Sequence, residues 1–336
     1  MSSHLSLSRR QFAGLAAVGL GAAALPTVLG RGRASAAEDR GLHVEGRGLV
    51  DGNGEPVLFR TVEHVIRWGD YDGEVPWGNV PWEGGAHDST GSQLPDIART
   101  GANSVRLMGG QPHELEPLLH QAVIEHKMWV SIARVNWRDP TVIAAINKYA
   151  RYVSLHIKGE TITTDENVWR EEAVRDITEA RALGFTSPIE IYTTSYGQRL
   201  STILHQGDAV AAADPLRNTV FGYQLYSELA PDVNGALDAT VNFGHPILVG
   251  ACLFQGGIDQ GWGNTPNTYK EVWDGTAARD LSSTYWAWSG DGEGNNMTHD
   301  GSLDNRTPVG DYLVHESPYA LSSFAPKTEY LLNSWV

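Results

Sequence analysis

The sequence predicts an α/β fold, a (β/α)₈ barrel, from three observations. Eight short apolar runs typical of strands recur along the chain, with helix-like stretches between them. No strong linker interrupts the series. No glycine-rich phosphate fingerprint follows the first run, so the alternative of a doubly wound open sheet lacks its usual signature. Eight βα units closing into a TIM-type barrel are therefore expected.

The strands follow in chain order. Residues 42–50 and 57–59 are expected to pair as an N-terminal β-hairpin across the turn Asp51-Gly52-Asn53-Gly54, closing the bottom of the barrel. The barrel strands are predicted at 57–62, 103–108, 129–134, 152–157, 188–194, 220–226, 246–251 and 283–288.

Helix signals fill the stretches between the strands, most clearly at 112–126 and 165–180. In the second stretch, Asp165 can cap the N-terminus and Gly184 follows the last turn. The residues expected near one apolar face are Val168, Ala173, Ile177 and Ala180.

The first 36 residues are predicted to be an export signal. Ser8-Arg9-Arg10-Gln11-Phe12 precedes a weakly hydrophobic Gly/Ala-rich run, as in twin-arginine signals, and Ala34-Ser35-Ala36 fits a cleavage site. A membrane anchor is the alternative, but the run is short for one. We therefore expect a secreted protein whose single domain spans 37–336.

Composition restricts the partners. The apolar fraction of 41% indicates a globular protein with a real core. A formal charge of −15 argues against nucleic acid and anionic membranes, which require basic patches, and leaves a neutral polysaccharide acceptable. The single cysteine, Cys252, cannot form an internal disulfide. Nothing in the sequence indicates an oligomeric state.

Several motifs occur in a recognisable order along the strands. They are Asp51-Gly-Asn-Gly54, Gly101-Ala-Asn-Ser-Val-Arg106, the strand ending at Glu160, Gln224-Leu-Tyr226, His245-Pro-Ile-Leu-Val-Gly250 and Trp286-Ala-Trp288-Ser289. On these motifs the chain resembles family 5 glycoside hydrolases, particularly bacterial endo-β-1,4-mannanases and cellulase-like members. The resemblance extends over nearly all residues from Leu42 onward. It implies a barrel that recognises a β-linked mannan or glucan.

Carried over position by position, the resemblance keeps four site residues. Arg106 matches the arginine that supports the nucleophile, and Glu160 matches the acid/base. Tyr226 matches the sixth-strand tyrosine, and Trp288 matches a tryptophan of a sugar subsite.

Four other positions depart from the family pattern. Gly159 stands where an asparagine precedes the acid/base, and Asn136 stands at the third-strand histidine. Gln224 stands at the sixth-strand histidine. Ala251 stands at the nucleophilic glutamate. Asn136 and Gln224 remain candidates for substrate binding.

The loss at Ala251 affects the chemistry most. Retaining hydrolysis needs two carboxyl groups about 5–5.5 Å apart, one to protonate the leaving oxygen and one to attack the anomeric carbon. General acid catalysis alone contributes roughly 10²–10⁴, below the 10⁶ or more typical of enzymes. We therefore expect glycan recognition with lost or greatly reduced retaining hydrolysis, that is, a pseudoenzyme.

Two alternatives remain. Glu228 or Asp259 could serve as a relocated base in an inverting reaction, which needs carboxyl groups about 6.5–9.5 Å apart. The barrel could instead have been recruited for non-glycan chemistry or for binding a partner. Cys252 is expected to be an inert buried thiol, since it would point outward if Ala251 faces the barrel axis.

The remaining candidates lie in loops. Trp68, Trp77 and Trp82 occupy a long segment after the first strand and could either stack on sugar faces or anchor that segment. The oxygen-rich residues 291–300 lack the ligand spacing of a calcium loop and are expected to form a solvated turn. The histidines form no metal-binding motif, so no cofactor or metal is predicted.

Overall fold

Eight parallel strands close into a barrel, as the sequence predicts, and a three-stranded antiparallel sheet precedes them. The computed structural model describes residues 40–66, 88, 90–159, 161, 163–225, 232–252, 268–290 and 295–335, without the side chains of Cys252 and Thr268. The predicted signal peptide lies outside these ranges and stays a prediction. Over the ranges given, the chain has no helix with the length and apolar character needed to span a membrane.

The N-terminal sheet has one more strand than predicted. It consists of β1 (His43–Glu45), β2 (Gly48–Val50) and β3 (Pro56–Val57). The run predicted as one strand, 42–50, folds back on itself at Gly46, whose φ of +58° favours glycine. The Asp51 turn joins β2 to β3 as expected, and the Asp51 carboxylate accepts hydrogen bonds from the two backbone amides of residues 53 and 55.

The barrel strands agree closely with the predicted runs. They are β4 (Arg60–Val65), β5 (Ser104–Met108), β6 (Trp129–Ala133), β7 (Val153–Lys158), β8 (Ile189–Tyr192), β9 (Thr219–Leu225), β10 (Ile247–Cys252) and β11 (Ser283–Trp286). The first barrel strand begins three residues later than predicted, because Val57 pairs with Leu49 in the N-terminal sheet.

Helices pack around the barrel. They are α1 (Leu94–Arg99), α2 (Pro112–His120), α3 (Pro140–Lys148), α4 (Glu166–Ala182), α5 (Thr194–Gly197), α6 (Leu200–Ala213), α7 (Val233–Asn242), α8 (Thr268–Ala277), α9 (Pro308–Asp311), α10 (Leu321–Phe324) and α11 (Glu329–Leu332). A π-helical turn, Gln121–Glu125, completes the segment that was predicted to be helical at 112–126.

Most of the features predicted for helix α4 are confirmed. The Asp165 side chain caps it by accepting hydrogen bonds from the backbone amides of Asn167 and Val168. Gly184 follows its end with a φ of +93°. Val168 was placed on the apolar face wrongly, since it is 41% exposed. The helix instead buries Trp169 on the stripe that continues through residues 173, 177 and 180.

Alternate residues of the strands face the inside of the barrel. Glu63 of β4 lies opposite Arg106 of β5, which lies opposite Ser131 of β6, and these side chains hydrogen-bond one another. Thr284 of β11 belongs to the same inner set because its hydroxyl group bonds to Glu63. The inner set is therefore polar, whereas the residues between its members are largely apolar and pack against the helices.

Candidate functional site

Arg106 is the centre of a buried polar cluster inside the barrel. Its Nη1 donates to Glu63 Oε1 at 3.0 Å and to the Tyr192 hydroxyl at 2.7 Å. Its Nη2 donates to Glu190 Oε2 at 2.7 Å, and its Nε donates to Ser131 Oγ at 2.9 Å. Three strands, β4, β6 and β8, thus supply acceptors to one guanidinium group, whose planar fork suits such an arrangement.

The charges of the cluster stabilise one another. Burial lowers the pKa of Arg106, but its neighbours Tyr192, Glu63 and Glu190 outweigh burial and raise it well above the usual range. Burial raises the pKa of Glu190, yet Arg106, His156 and hydrogen bonds from Ser154 and Ser131 lower it overall. Burial raises the pKa of Tyr192, so its phenol stays protonated. Arg106 and Glu190 therefore form an ion pair at neutral pH.

The two carboxyl groups of the cluster are held differently. Glu190 is enclosed, with 1% of its side chain exposed, and its Oε1 accepts a hydrogen bond from Ser154 Oγ at 2.5 Å. Glu63 has 6% of its side chain exposed. Its Oε1 accepts from Thr284 Oγ1 at 2.5 Å as well as from Arg106. Its Oε2 accepts no hydrogen bond from any side chain or amide in the described part of the chain.

His156 of β7 borders the cluster as a neutral ring. Its Nε2 lies 2.9 Å from the carbonyl oxygen of Lys158, which can only accept, so Nε2 carries the proton. The ring centroid lies 4.4 Å from that of Tyr192. Burial, followed by the positive charge of Arg106, lowers the pKa of His156 to about 3. His156 therefore adds no charge to the cluster near neutral pH.

The described side chain at the end of β10, that of Ala251, has no carboxylate that could act as a nucleophile. Ala251 is 2% exposed and lies opposite Leu225 and Tyr285 in the strand register. The Tyr285 ring faces outward to Tyr269 of α8, with centroids 6.2 Å apart. Ala251 therefore belongs to the helix-facing set, and its methyl group packs in the core.

The inner position on β10 is Gly250, opposite Gln224 of β9 and Thr284 of β11. A Cβ atom on Gly250 would lie 3.1 Å from Gln224 Cγ. The prediction that Cys252 points outward required Ala251 to face the barrel axis, and that premise is wrong. The register pairs Cys252 with Trp286, while its side chain lies outside the description.

Gln224 lies on β9 and Trp288 follows β11, and their predicted roles in substrate binding stay predictions. Gln224 is partly buried on the inner side of β9. Trp288 is fully buried, and its indole N–H donates to the carbonyl oxygen of Gly301 at 3.1 Å. Its backbone amide donates to the carbonyl oxygen of Glu63 at 2.8 Å. The ring is enclosed and has no exposed face for a sugar.

Asn136 occupies an exposed turn after β6, outside the Arg106 cluster. Its side-chain oxygen accepts a hydrogen bond from the Arg138 amide at 3.3 Å, and its carbonyl oxygen accepts one from the Asp139 amide. These bonds shape the turn that leads into α3. A role of Asn136 in binding substrate stays a prediction.

The other predicted site residues lie outside the described residues, and their roles stay predictions. They are Glu160, Tyr226, Glu228, Asp259, Trp68, Trp77 and Trp82. Gly159, which precedes Glu160, is exposed.

Four residues of this cluster were not predicted as site residues from the sequence: Glu63, Glu190, Tyr192 and His156. A signal was present for the two acids, because each interrupts an apolar strand at an inward position, in Val62-Glu63-His64 and Ile189-Glu190-Ile191. A charged residue inside such a strand must find a partner, which here is Arg106.

In the residues that the structure describes, no three His, Cys, Asp or Glu side chains are grouped so that they could hold a metal ion. Asp300, at the end of the oxygen-rich segment, is exposed and accepts hydrogen bonds from the Ser302 amide and the Asn305 side chain. These contacts are those of a turn; residues 291–294 lie outside the description.

Comparisons with known proteins identify β-mannanases as relatives. A mannan endo-1,4-β-mannosidase of Streptomyces lividans is 28% identical over 302 residues, covering 78% of this chain and 70% of the relative. One of Salipaludibacillus agaradhaerens is 24% identical over 327 residues, covering 86% and 96%. No family model matches the chain.

A solved structure agrees with the fold. The β-mannanase of Streptomyces thermolilacinus, determined with mannohexaose, superposes with a TM-score of 0.70 at 21% identity, covering 88% of this chain and 99% of that one. The order of motifs, the closed barrel and the sequence relatives agree with one another. The chain is therefore similar in sequence to mannan endo-1,4-β-mannosidases, and its barrel is similar to that of a solved β-mannanase.

Proposed function

We propose that this protein binds β-1,4-linked oligosaccharides of the mannan type at the carboxyl ends of its barrel strands and does not hydrolyse them by the retaining mechanism. Parallel barrels place their ligand sites at this face. The relatives are named as mannosidases, and the Streptomyces thermolilacinus structure was determined with mannohexaose. These comparisons support the choice of ligand.

The proposed loss of hydrolysis rests on the residues at the end of β10. The resemblance expects a nucleophilic carboxylate there, and Ala251 and Gly250 offer none. A covalent glycosyl-enzyme needs an oxygen nucleophile at the anomeric carbon, which a methyl group cannot supply. Arg106, which the resemblance assigns to the nucleophile, instead donates to Glu63 and Glu190.

Export by the twin-arginine route is part of the proposal. Ser8-Arg9-Arg10 and the following apolar run support it. Replacement of Arg9 and Arg10 by Lys is expected to retain the protein in the cytoplasm. Export that is unaffected by this change would contradict the proposed route.

Two measurements on the purified protein test the function. Calorimetry with mannohexaose is expected to show saturable binding, and assays on mannan are expected to show no release of reducing ends above background. Rapid hydrolysis that persists in a Glu160→Gln variant would overturn both the proposal and the role of Glu160.

Glu228 and Asp259 support a second candidate, an active enzyme with a relocated base. If hydrolysis is observed, the anomeric configuration of the first product, read by NMR, shows whether the reaction proceeds with inversion or with retention. Inversion favours a water activated by a distant carboxylate. No affinity for any member of a glycan array would favour recruitment of the barrel to non-glycan chemistry or to a protein partner.

A further inference from the structure

We infer that Glu63 binds a hydroxyl group of the sugar through its Oε2 atom, an inference that rests on the proposed glycan-binding function. Glu63 belongs to the first barrel strand, two residues before that strand ends at Val65. No residue of this strand is assigned a role by the resemblance or by the comparisons. The inference therefore adds a ligand-binding residue to the site.

The position of Glu63 Oε2 is fixed by its neighbours. Arg106 Nη1 and Thr284 Oγ1 hold the other oxygen, Oε1, from the two adjacent strands β5 and β11. The backbone of Glu63 is held as well, because its carbonyl oxygen accepts the Trp288 amide at 2.8 Å. A carboxylate held in this way can present its second oxygen to a ligand without losing further side-chain freedom.

The exposure of Glu63 distinguishes it from Glu190. More than nine-tenths of the Glu63 side chain is buried, yet Oε2 lacks a hydrogen-bond donor among the described residues. Both oxygens of Glu190 accept hydrogen bonds inside the cluster. Since a nearly buried acceptor without a donor is costly, Oε2 is the atom of the cluster that is available to a ligand.

The charge of the cluster indicates which ligand atom it binds. Arg106 supplies one positive charge to two carboxyl groups, and His156, with a pKa of about 3, supplies none. An acceptor oxygen in such a setting favours a donor from the ligand. In a neutral β-linked oligosaccharide the donors are the hydroxyl groups.

The test compares Glu63→Gln with Asp214→Asn, a matched control that removes the buried carboxylate of another arginine, Arg181, outside the Arg106 cluster. Binding of mannohexaose by calorimetry is expected to weaken about 10- to 100-fold in Glu63→Gln, the range for a hydrogen bond to a charged group. Asp214→Asn is expected to lower the urea midpoint while changing the Kd less than about threefold, since Asp214 is enclosed and does not contact the Arg106 cluster.

A second variant keeps the test decisive if Glu63→Gln does not fold. Glu63→Asp keeps the charge beside Arg106 but withdraws the carboxylate by one methylene group, and it is also expected to weaken binding about tenfold. Mannohexaose analogues deoxygenated at C2, C3 or C6 complete a double-mutant cycle between protein and ligand. For the wild type, one of these analogues should bind more weakly than mannohexaose. For the two Glu63 variants, the same analogue and mannohexaose should bind equally well.

The outcomes separate this inference from the proposed function. Unchanged mannohexaose affinity in both Glu63 variants, with the wild type binding, overturns the inference and leaves the proposed function in place. Failure of the wild type to bind any β-1,4-linked oligosaccharide overturns both. Equal losses of affinity in the Glu63 and Asp214 variants would mean that the losses reflect stability alone, which also overturns the inference.

Discussion

Arg106 Nη2 and Glu190 Oε2 lie 2.7 Å apart inside the barrel, with 2% and 1% of their side chains exposed. A lone carboxylate at this depth would be expensive to desolvate, and so would a lone guanidinium. Together with Glu63 they form a self-consistent charge network that crosses the barrel from β4 to β8. The guanidinium that the resemblance assigns to supporting a nucleophile is therefore committed to Glu63 and Glu190.

Replacement of Arg106 by Met is expected to lower the free energy of unfolding by about 3–5 kcal/mol, because it leaves two nearly buried carboxyl groups without their cation. Urea unfolding of the wild type and the variant measures the loss. Arg106→Lys is the control: it keeps the charge but cannot reach all the acceptors, so its loss should be smaller. Equal midpoints for wild type and Arg106→Met would show that the network is not stabilising.

The N-cap of α4 gives an independent test of the helix boundary. Asp165 Oδ1 accepts hydrogen bonds from the Asn167 and Val168 amides at 2.9 and 3.3 Å. Asp165→Ala should lower the free energy of unfolding by about 1 kcal/mol, whereas Asp165→Asn, which keeps the acceptor, should lower it by a few tenths. Equal losses in the two variants would indicate that the charge, not the cap, is responsible.

The barrel was predictable from sequence because each strand is a short apolar run bounded by helix signals, and Asp165 was recognisable from its position alone. The polar cluster was not, because Glu63, Arg106 and Glu190 are up to 127 residues apart and meet only through the strand register. The strand register also decides whether Ala251 faces the barrel axis or the helices. The alternation of side chains along β10 alone does not decide this, because it depends on how β10 pairs with the neighbouring strands.

The neutral state of His156 predicts a pH dependence of stability. Its pKa is about 3 in the folded protein, against the ordinary value of about 6.5. The unfolded chain therefore binds the proton more readily. The stability that neutral His156 contributes is complete above about pH 6.5 and falls by about 1.4 kcal/mol per pH unit as the pH decreases towards 3.

Urea unfolding at pH 7, 6 and 5 tests this dependence. His156→Gln, which can still donate to the Lys158 carbonyl, is expected to show a flatter dependence than the wild type. Replacement of the exposed His113 by Gln is the matched control and should leave the dependence unchanged. Parallel curves for the wild type and His156→Gln would contradict the prediction.

Restoring a carboxylate at position 251 is expected to destabilise the protein without restoring hydrolysis. Ala251 is 2% exposed on the helix-facing set with Leu225 and Tyr285, so a larger side chain there overpacks the core. Ala251→Gln should cost about 1–3 kcal/mol from its volume alone.

Ala251→Glu should cost more than Ala251→Gln, because its carboxyl must be buried as an anion or bind a proton. Burial raises the pKa of such a group, so the folded state binds more protons and the difference between the two variants should widen from pH 5 to pH 8. Urea unfolding measures the stabilities, and release of reducing ends from mannan measures activity. Hydrolysis that appears in Ala251→Glu and not in Ala251→Gln would mean that residue 251 faces the glycan and that the outward register at the end of β10 is wrong.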